Sequence, residues 1–229
     1  MTGRVAVSAV VVAMLAITGV GIALVSTDVA STSAHASAAS APATARLVIR
    51  PVTQSGTAAS GFHVTKQSGA VDCTTPDESA GAVNHDIERC SPSAAYAIAC
   101  WKAAMPHRVL CTRDPSSHGL YSLPRTGNFA PAGLVAKRDR APLLLVLGNG
   151  WRCAIRDGGA WNSLKAHPNW YGTYSCNNNH DAVWSASKAP HNGINESRSV
   201  WTVQTAPFSG NERLTVRTVR KAYFVGTHS

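Results

Sequence analysis

Acidic side chains are scarce in this sequence, and the residue patterns that mark common enzyme classes are missing. Twelve Asp and Glu stand against twenty-one Lys and Arg, giving a net charge of +9 with histidine neutral. A carboxylate-pair glycosidase would have to draw on Asp72, Asp77, Glu78, Asp86, Glu88, Asp114, Asp139, Asp157, Asp181, Glu196 and Glu212. Most of these accompany Arg, Pro or Gly in turns, and no two stand out as a pair to face across a cleft. Without Cys-x-x-Cys there is no thioredoxin-like dithiol and no haem-attachment site, and Cys100 and Cys111 are too isolated for a zinc knuckle. Neither His-Glu-x-x-His nor an EF-hand loop occurs. His63, His85, His107, His118, His167, His180, His191 and His228 sit mostly beside Pro, Gly, Asn or Asp and read as loop residues. No cofactor and no metal are expected.

Nucleophile motifs are missing too. There is no Gly-x-Ser-x-Gly, and Asp157-Gly158-Gly159 lacks the serine of a chymotrypsin-like site. Ser117-His118-Gly119-Leu120 matches the Ser-His-Gly-Cys string of L,D-transpeptidases except at the nucleophile, and without a thiolate no acyl-enzyme forms. No catalytic residue is assigned, although a triad built from chain-distant residues stays open. The basic residues are scattered, and Asp139 interrupts the densest group, Lys137-Arg138-Asp139-Arg140. Neither a stripe nor a known module for nucleic acid is visible.

What is present begins with an export signal. Arg4 precedes the one long apolar run, Val5 to Val25, and Ala34-His35-Ala36 supplies an A-x-A site. The run is longer than the roughly 7–15 residues of a cleaved h-region and near the ~20 that span a bilayer. Residues 1–36 therefore read as a signal peptide, or as a signal-anchor that holds the rest of the chain outside the membrane. Residues 37–46, rich in Ala, Ser and Pro, read as a flexible linker, and 47–229 as one domain with its own core.

All six cysteines, Cys73, Cys90, Cys100, Cys111, Cys153 and Cys176, lie beyond the signal. An even count in an exported chain reads as three disulfides. Loop closure is cheapest between near neighbours, which favours Cys73–Cys90, Cys100–Cys111 and Cys153–Cys176 among the possible pairings.

The second half punctuates as short strands. Leu143–Leu147, the turn Gly148-Asn149-Gly150 and the alternating Trp151–Arg156 form a hairpin signal, with Trp151, Cys153 and Ile155 on one face. Tyr171–Cys176, Ala182–Ser185, Val200–Thr205, Leu214–Thr218 and Ala222–Val225 are further candidates. Such spacing predicts a mainly β fold, a single antiparallel β-sandwich or barrel-like domain stapled by three disulfides. Residues 92–105 are ambiguous: Ser91-Pro92 could open an Ala-rich helix, or Tyr96, Ile98 and Cys100 could face inward on a strand returning as Arg108–Cys111. The strand reading is preferred because it sets Cys100 opposite Cys111.

The strings Ala-Ile-Ala-Cys-Trp-Lys (97–102), Val-Leu-Cys-Thr-Arg-Asp-Pro (109–115), Trp-Arg-Cys-Ala-Ile-Arg-Asp-Gly-Gly-Ala-Trp (151–161), Val-Trp-Thr-Val (200–203) and Ala-Tyr-Phe-Val-Gly-Thr (222–227) resemble a group of small exported actinobacterial proteins of unknown function. The resemblance spans about residues 70–227 and implies an envelope or extracellular location. Its motifs are structural, and no activity comes with it.

Six tryptophans leave some to spare beyond a core. Trp161, Trp170 and Tyr171 flank a turn-rich stretch, and Asn177-Asn178-Asn179-His180-Asp181 follows. Aromatic faces beside amides and carboxylates suit sugar rings, so Trp161, Trp170, Tyr171 and His180 are the candidate ligand-binding residues. Tryptophans on strands, Trp151, Trp184 and Trp201, are expected in the core. Positive charge and aromatic loops point to a non-catalytic, secreted or cell-envelope binding domain. Its candidate partners are an anionic wall polymer, a glycan or an anionic lipid, and membrane contact otherwise runs only through the N-terminal segment. The alternative is an envelope hydrolase with a dispersed active site.

Overall fold

The computed structural model describes residues 41–228 except 76, 93–96, 131, 157–163, 179, 187–189 and 209–212. Twelve strands and no α-helix occur among the described residues. They are β1 (Ala45–Thr53), β2 (His63–Lys66), β3 (Val71–Asp72), β4 (Ala99–Lys102), β5 (Arg108–Thr112) and β6 (Gly119–Thr126) in the first half. In the second half they are β7 (Leu144–Leu147), β8 (Arg152–Ile155), β9 (Trp170–Cys176), β10 (Asp181–Ala186), β11 (Thr202–Pro207) and β12 (Thr215–His228).

Strands β7 to β12 pair with their sequence neighbours, all antiparallel, and β12 returns to β7, closing a six-stranded barrel. Closure leaves no free edge among these six strands. The period of two sends one face of each strand inward. Leu145 and Leu147, Cys153, Tyr174, Val183, Val203, Val219 and Phe224 fill the interior. Strand β12 is long enough to serve three neighbours: Thr215–Thr218 pair with β11, Val219–Tyr223 with β7, and Lys221–His228 with the parallel strand β1.

The second sheet runs β2–β6–β5–β4, with β3 also on β6. Trp101, Leu110 and Leu120 of this sheet pack with Leu143 and Val225 of the barrel side, so one apolar layer joins the two sheets. A separate cluster beneath it holds Cys73, Cys90, Cys100 and Cys111 with Val71, Val109 and Leu123.

The cysteines pair as spacing suggested: Cys73–Cys90, Cys100–Cys111 and Cys153–Cys176. Two of the bridges join residues directly opposite in the ladder, Cys100 with Cys111 and Cys153 with Cys176. Such bonds persist in an oxidising compartment and are rare in the reducing cytosol.

The structure bears out some of the strand expectations and refines others. Within 92–105, Ala99–Lys102 is strand β4, hairpinned to β5, while Tyr96 lies outside the described residues. Tertiary pairing overrides the helix propensity of the Ala-rich stretch there. Leu214–Thr218 and Ala222–Val225 are one strand, because a register shift between Val219 and Lys221 carries the ladder through the polar residues between them. Strand β1 begins at Ala45, two residues ahead of the expected start at Leu47. Among the described residues no helix is long and apolar enough to cross a membrane. The apolar run Val5–Val25 lies outside them.

Candidate functional site

The aromatic candidates do not converge. Trp161 lies outside the described residues. Trp170 opens β9, meets the His167 ring at a centroid distance of 5.1 Å and a tilt of 44°, and packs on the cluster of Leu164, Ala182, Trp184 and Ala206. Tyr171 follows it, 40% exposed, opposite Ser185. His180 stands in the turn after β9, so the five residue steps from Tyr171 to Cys176 alone separate the two by about 17 Å of strand. Its ring lies 3.7 Å from Asp181. Trp170, Tyr171 and His180 line none of three concavities found elsewhere.

Two of those concavities share a wall. The first, about 350 Å³, is lined by Arg46, Lys137, Arg138, Arg140, His191 and Glu196. Among the described lining residues, four cations and a histidine therefore face one carboxylate, and Arg138 also lies 3.4 Å from Asp139. A tight turn positions three of the cations, since both Asp139 and Arg140 donate their backbone N–H groups to the Ala136 carbonyl. Arg140 reaches back to the Val135 carbonyl at 3.4 Å, and its Nε is buried without a partner among the described residues. Arg46 comes from β1, and its guanidinium lies over the rings of Phe224 (4.9 Å) and Trp201 (5.3 Å). Those contacts fix the side chain and leave its charge toward the opening.

The remaining wall is the turn Pro190–Gly193, where His191 (φ 51°, ψ 32°) and Asn192 (φ 53°, ψ 36°) both adopt the left-handed conformation. Two successive non-glycine residues there cost about 1–2 kcal/mol each. The surroundings hold them. His191 Nδ1 donates to the Arg140 carbonyl at 3.0 Å, and the Thr173 hydroxyl donates to the Asn192 carbonyl at 3.1 Å. Gly193, also left-handed at φ 80°, lies so close to Ser185 that a Cβ would sit 2.5 Å from that side chain. Because Nδ1 is engaged, Nε2 is the ring nitrogen of His191 left for a ligand, while Glu196 stands 3.8 Å from Nδ1.

Across that turn lies the second concavity, about 380 Å³, whose lining includes Asp77, Glu78, Arg89, Arg156 and Asn192 over Ile98, Leu143 and Ile155. Asp77 is ion-paired with Arg89. The Glu78 carboxylate accepts no hydrogen bond from a described residue and lies 2.7 Å from where a Cβ on Gly133 would stand. Beneath both, the Tyr174 hydroxyl donates to the Pro142 carbonyl at 2.9 Å and meets Asn192, and burial pushes it far above the phenol range. The third concavity, about 320 Å³, has its central charges matched internally, with Arg152 2.8 Å from Asp114.

One buried acid stands apart. Glu88 is fully buried, and neither carboxylate oxygen has a partner among the described residues. Burial chiefly, then Asp86, pushes its pKa up to about 8, against the opposing pull of Arg125. Its carboxyl, Cys73 and Cys90 lie within 4.8 Å of one another. Both sulfurs are spent in a disulfide, and only thiolates ligate metal, so the trio is no metal centre in this oxidised form.

The basic pocket is not among the sites expected from the sequence. Its one trace in the sequence is that Lys137-Arg138-Asp139-Arg140 is the densest basic group, whereas Arg46, assigned to the linker, and His191, read as a loop residue, carry no signal at all. No protein-family model, no curated protein and no solved structure matches the chain.

Proposed function

We propose that this protein is an exported, non-catalytic binding domain of the cell envelope or extracellular space, and that it holds an anionic group of an envelope polymer in the basic pocket. One observation carries the reading: Arg46, Lys137, Arg138 and Arg140 line one concavity in which Glu196 is the single carboxylate among the described lining residues. Guanidinium forks bind phosphate or carboxylate bidentately, and the low-dielectric wall of Trp201 and Phe224 strengthens the field at Arg46. The overall +9 charge steers such a polymer toward the protein. The N-terminal signal pattern, the three disulfides and the resemblance to exported actinobacterial proteins support the location.

The hydrolase alternative draws less support. In the second concavity Asp77 is committed to Arg89, and Glu88 is sealed from solvent.

Retention on purified anionic wall polymer tests the proposal. The protein binds at low salt and elutes as ionic strength rises and screening shortens the Debye length. Replacing Arg140 with Gln removes charge-assisted hydrogen bonds of about 1–2 kcal/mol, weakening retention roughly 5- to 30-fold. Equal retention of the wild type and Arg140→Gln, or none at low salt, refutes the assignment.

A further inference from the structure

We propose that the basic pocket and the adjoining cleft form one bipartite site whose ligand is the phosphate ester of a sugar or polyol. The phosphate enters the Arg46–Lys137–Arg140 pocket, and the hydroxylated part enters the cleft at Glu78 and Asn192. The inference rests on the anion-binding reading of the pocket and adds the chemistry of what the anion is attached to.

Continuity of the walls is the first ground. Consecutive residues of one turn line the two concavities, His191 the basic one and Asn192 the other. The facing segment repeats the division, since Val135 lines the cleft while Lys137, Arg138 and Arg140 line the pocket, and Arg140 is hydrogen-bonded to Val135. The lining changes from one concavity to the other within one residue step of the turn, about 3.8 Å between Cα atoms. A ligand that joins an anion directly to a hydroxylated carbon frame spans such a step; two independent ligands would not need the sites to touch.

Complementarity is the second ground. The pocket is lined by guanidinium and ammonium groups, those of Arg46, Lys137, Arg138 and Arg140, and so fits the several oxygens of a phosphate. The cleft sets Asp77 and Glu78 beside Arg89 and Arg156 and so carries no excess of cations among its described lining residues. Its Glu78 carboxylate has spare acceptor capacity, and the missing side chain at Gly133 leaves it room. Ile98, Leu143 and Ile155 supply an apolar floor for the C–H face of a sugar or polyol. Arg89 and Arg156 offset Asp77 and Glu78 there, so an anion gains less in the cleft than among the cations of the pocket, which favours one orientation. Electrostatics, not shape alone, sets the polarity of binding.

Calorimetric titration of the oxidised protein with inorganic phosphate, glucose, glucose 1-phosphate and glycerol 3-phosphate tests this. At least one of the two esters is expected to bind about tenfold more tightly than inorganic phosphate, with no measurable binding of glucose. Arg140→Gln weakens phosphate and ester alike. Glu78→Gln weakens the ester by about tenfold and leaves inorganic phosphate within roughly twofold, with an unchanged melting curve as the folding control. Esters that bind no better than inorganic phosphate, or an ester affinity insensitive to Glu78→Gln, overturn the bipartite site while the anion pocket stands. Failure of inorganic phosphate and both esters to bind overturns both.

Discussion

Glu88 shows what a single buried group does to this fold. Its carboxyl is protonated up to a pKa of about 8 in the native state but ionises near the ordinary 4.5 once the chain unfolds. Between those values the unfolded chain binds fewer protons than the folded one, so the stability contributed by the neutral acid is complete below pH 4.5 and is lost as the pH rises through about 8. The full span is on the order of 5 kcal/mol. Denaturant unfolding followed from pH 5 to pH 8 should show this decline, and Glu88→Gln should flatten it. The diagnostic is the slope, because an amide at an unpartnered buried position changes the absolute stability as well. Identical slopes in the two proteins would remove Glu88 from the account. Nothing in the sequence distinguishes this acid from the other ten beyond residue 36. Its environment arises from the bridge to Cys100, which places it in the interior beside two disulfides.

Among elements, the turn Pro190–Gly193 links fold to site. Gly193→Ala would place a Cβ against Ser185 at a φ that side chains rarely adopt. A loss of about 2–3 kcal/mol in unfolding free energy is expected, together with weaker anion binding as His191 shifts. Calorimetric melting and a phosphate titration of the same variant check both outcomes; unchanged affinity would separate the turn from the pocket. The ladder disulfide between β8 and β9 acts differently. Removing it as Cys153→Ala with Cys176→Ala should cost about 2–4 kcal/mol and leave the pocket residues in place.

The sequence made the β7–β8 hairpin legible because Gly148-Asn149-Gly150 and the Trp151/Cys153/Ile155 alternation agree with each other. It made β6 illegible. Pro124 lies within that strand, which demotes it as a strand candidate. The structure accommodates it because Arg125 donates to His107 on one side, so the neighbouring position points toward the gap between the stretches paired with β2 and β3.

For the whole molecule, barrel closure decides where chemistry can gather. With no open edge among β7 to β12, the segments 135–142 and 190–196 come together near Tyr174, and strand β1 delivers Arg46 from far away in sequence. A one-dimensional reading sees aromatic residues in polar loops and infers a site there. Closure instead separates Tyr171 from His180 along β9 and assembles charge from three distant segments. Fold class and disulfides follow from local patterns of spacing and alternation; the pocket follows from long-range pairing, which such patterns do not encode. Backbone amide shifts recorded by NMR while a poly(glycerol phosphate) is titrated in would decide between the two locations. The largest shifts should fall at Arg46, Lys137–Arg140 and His191, shrinking with added salt. Shifts centred on Trp170, Tyr171 and His180, with the basic pocket unmoved, would contradict the assignment.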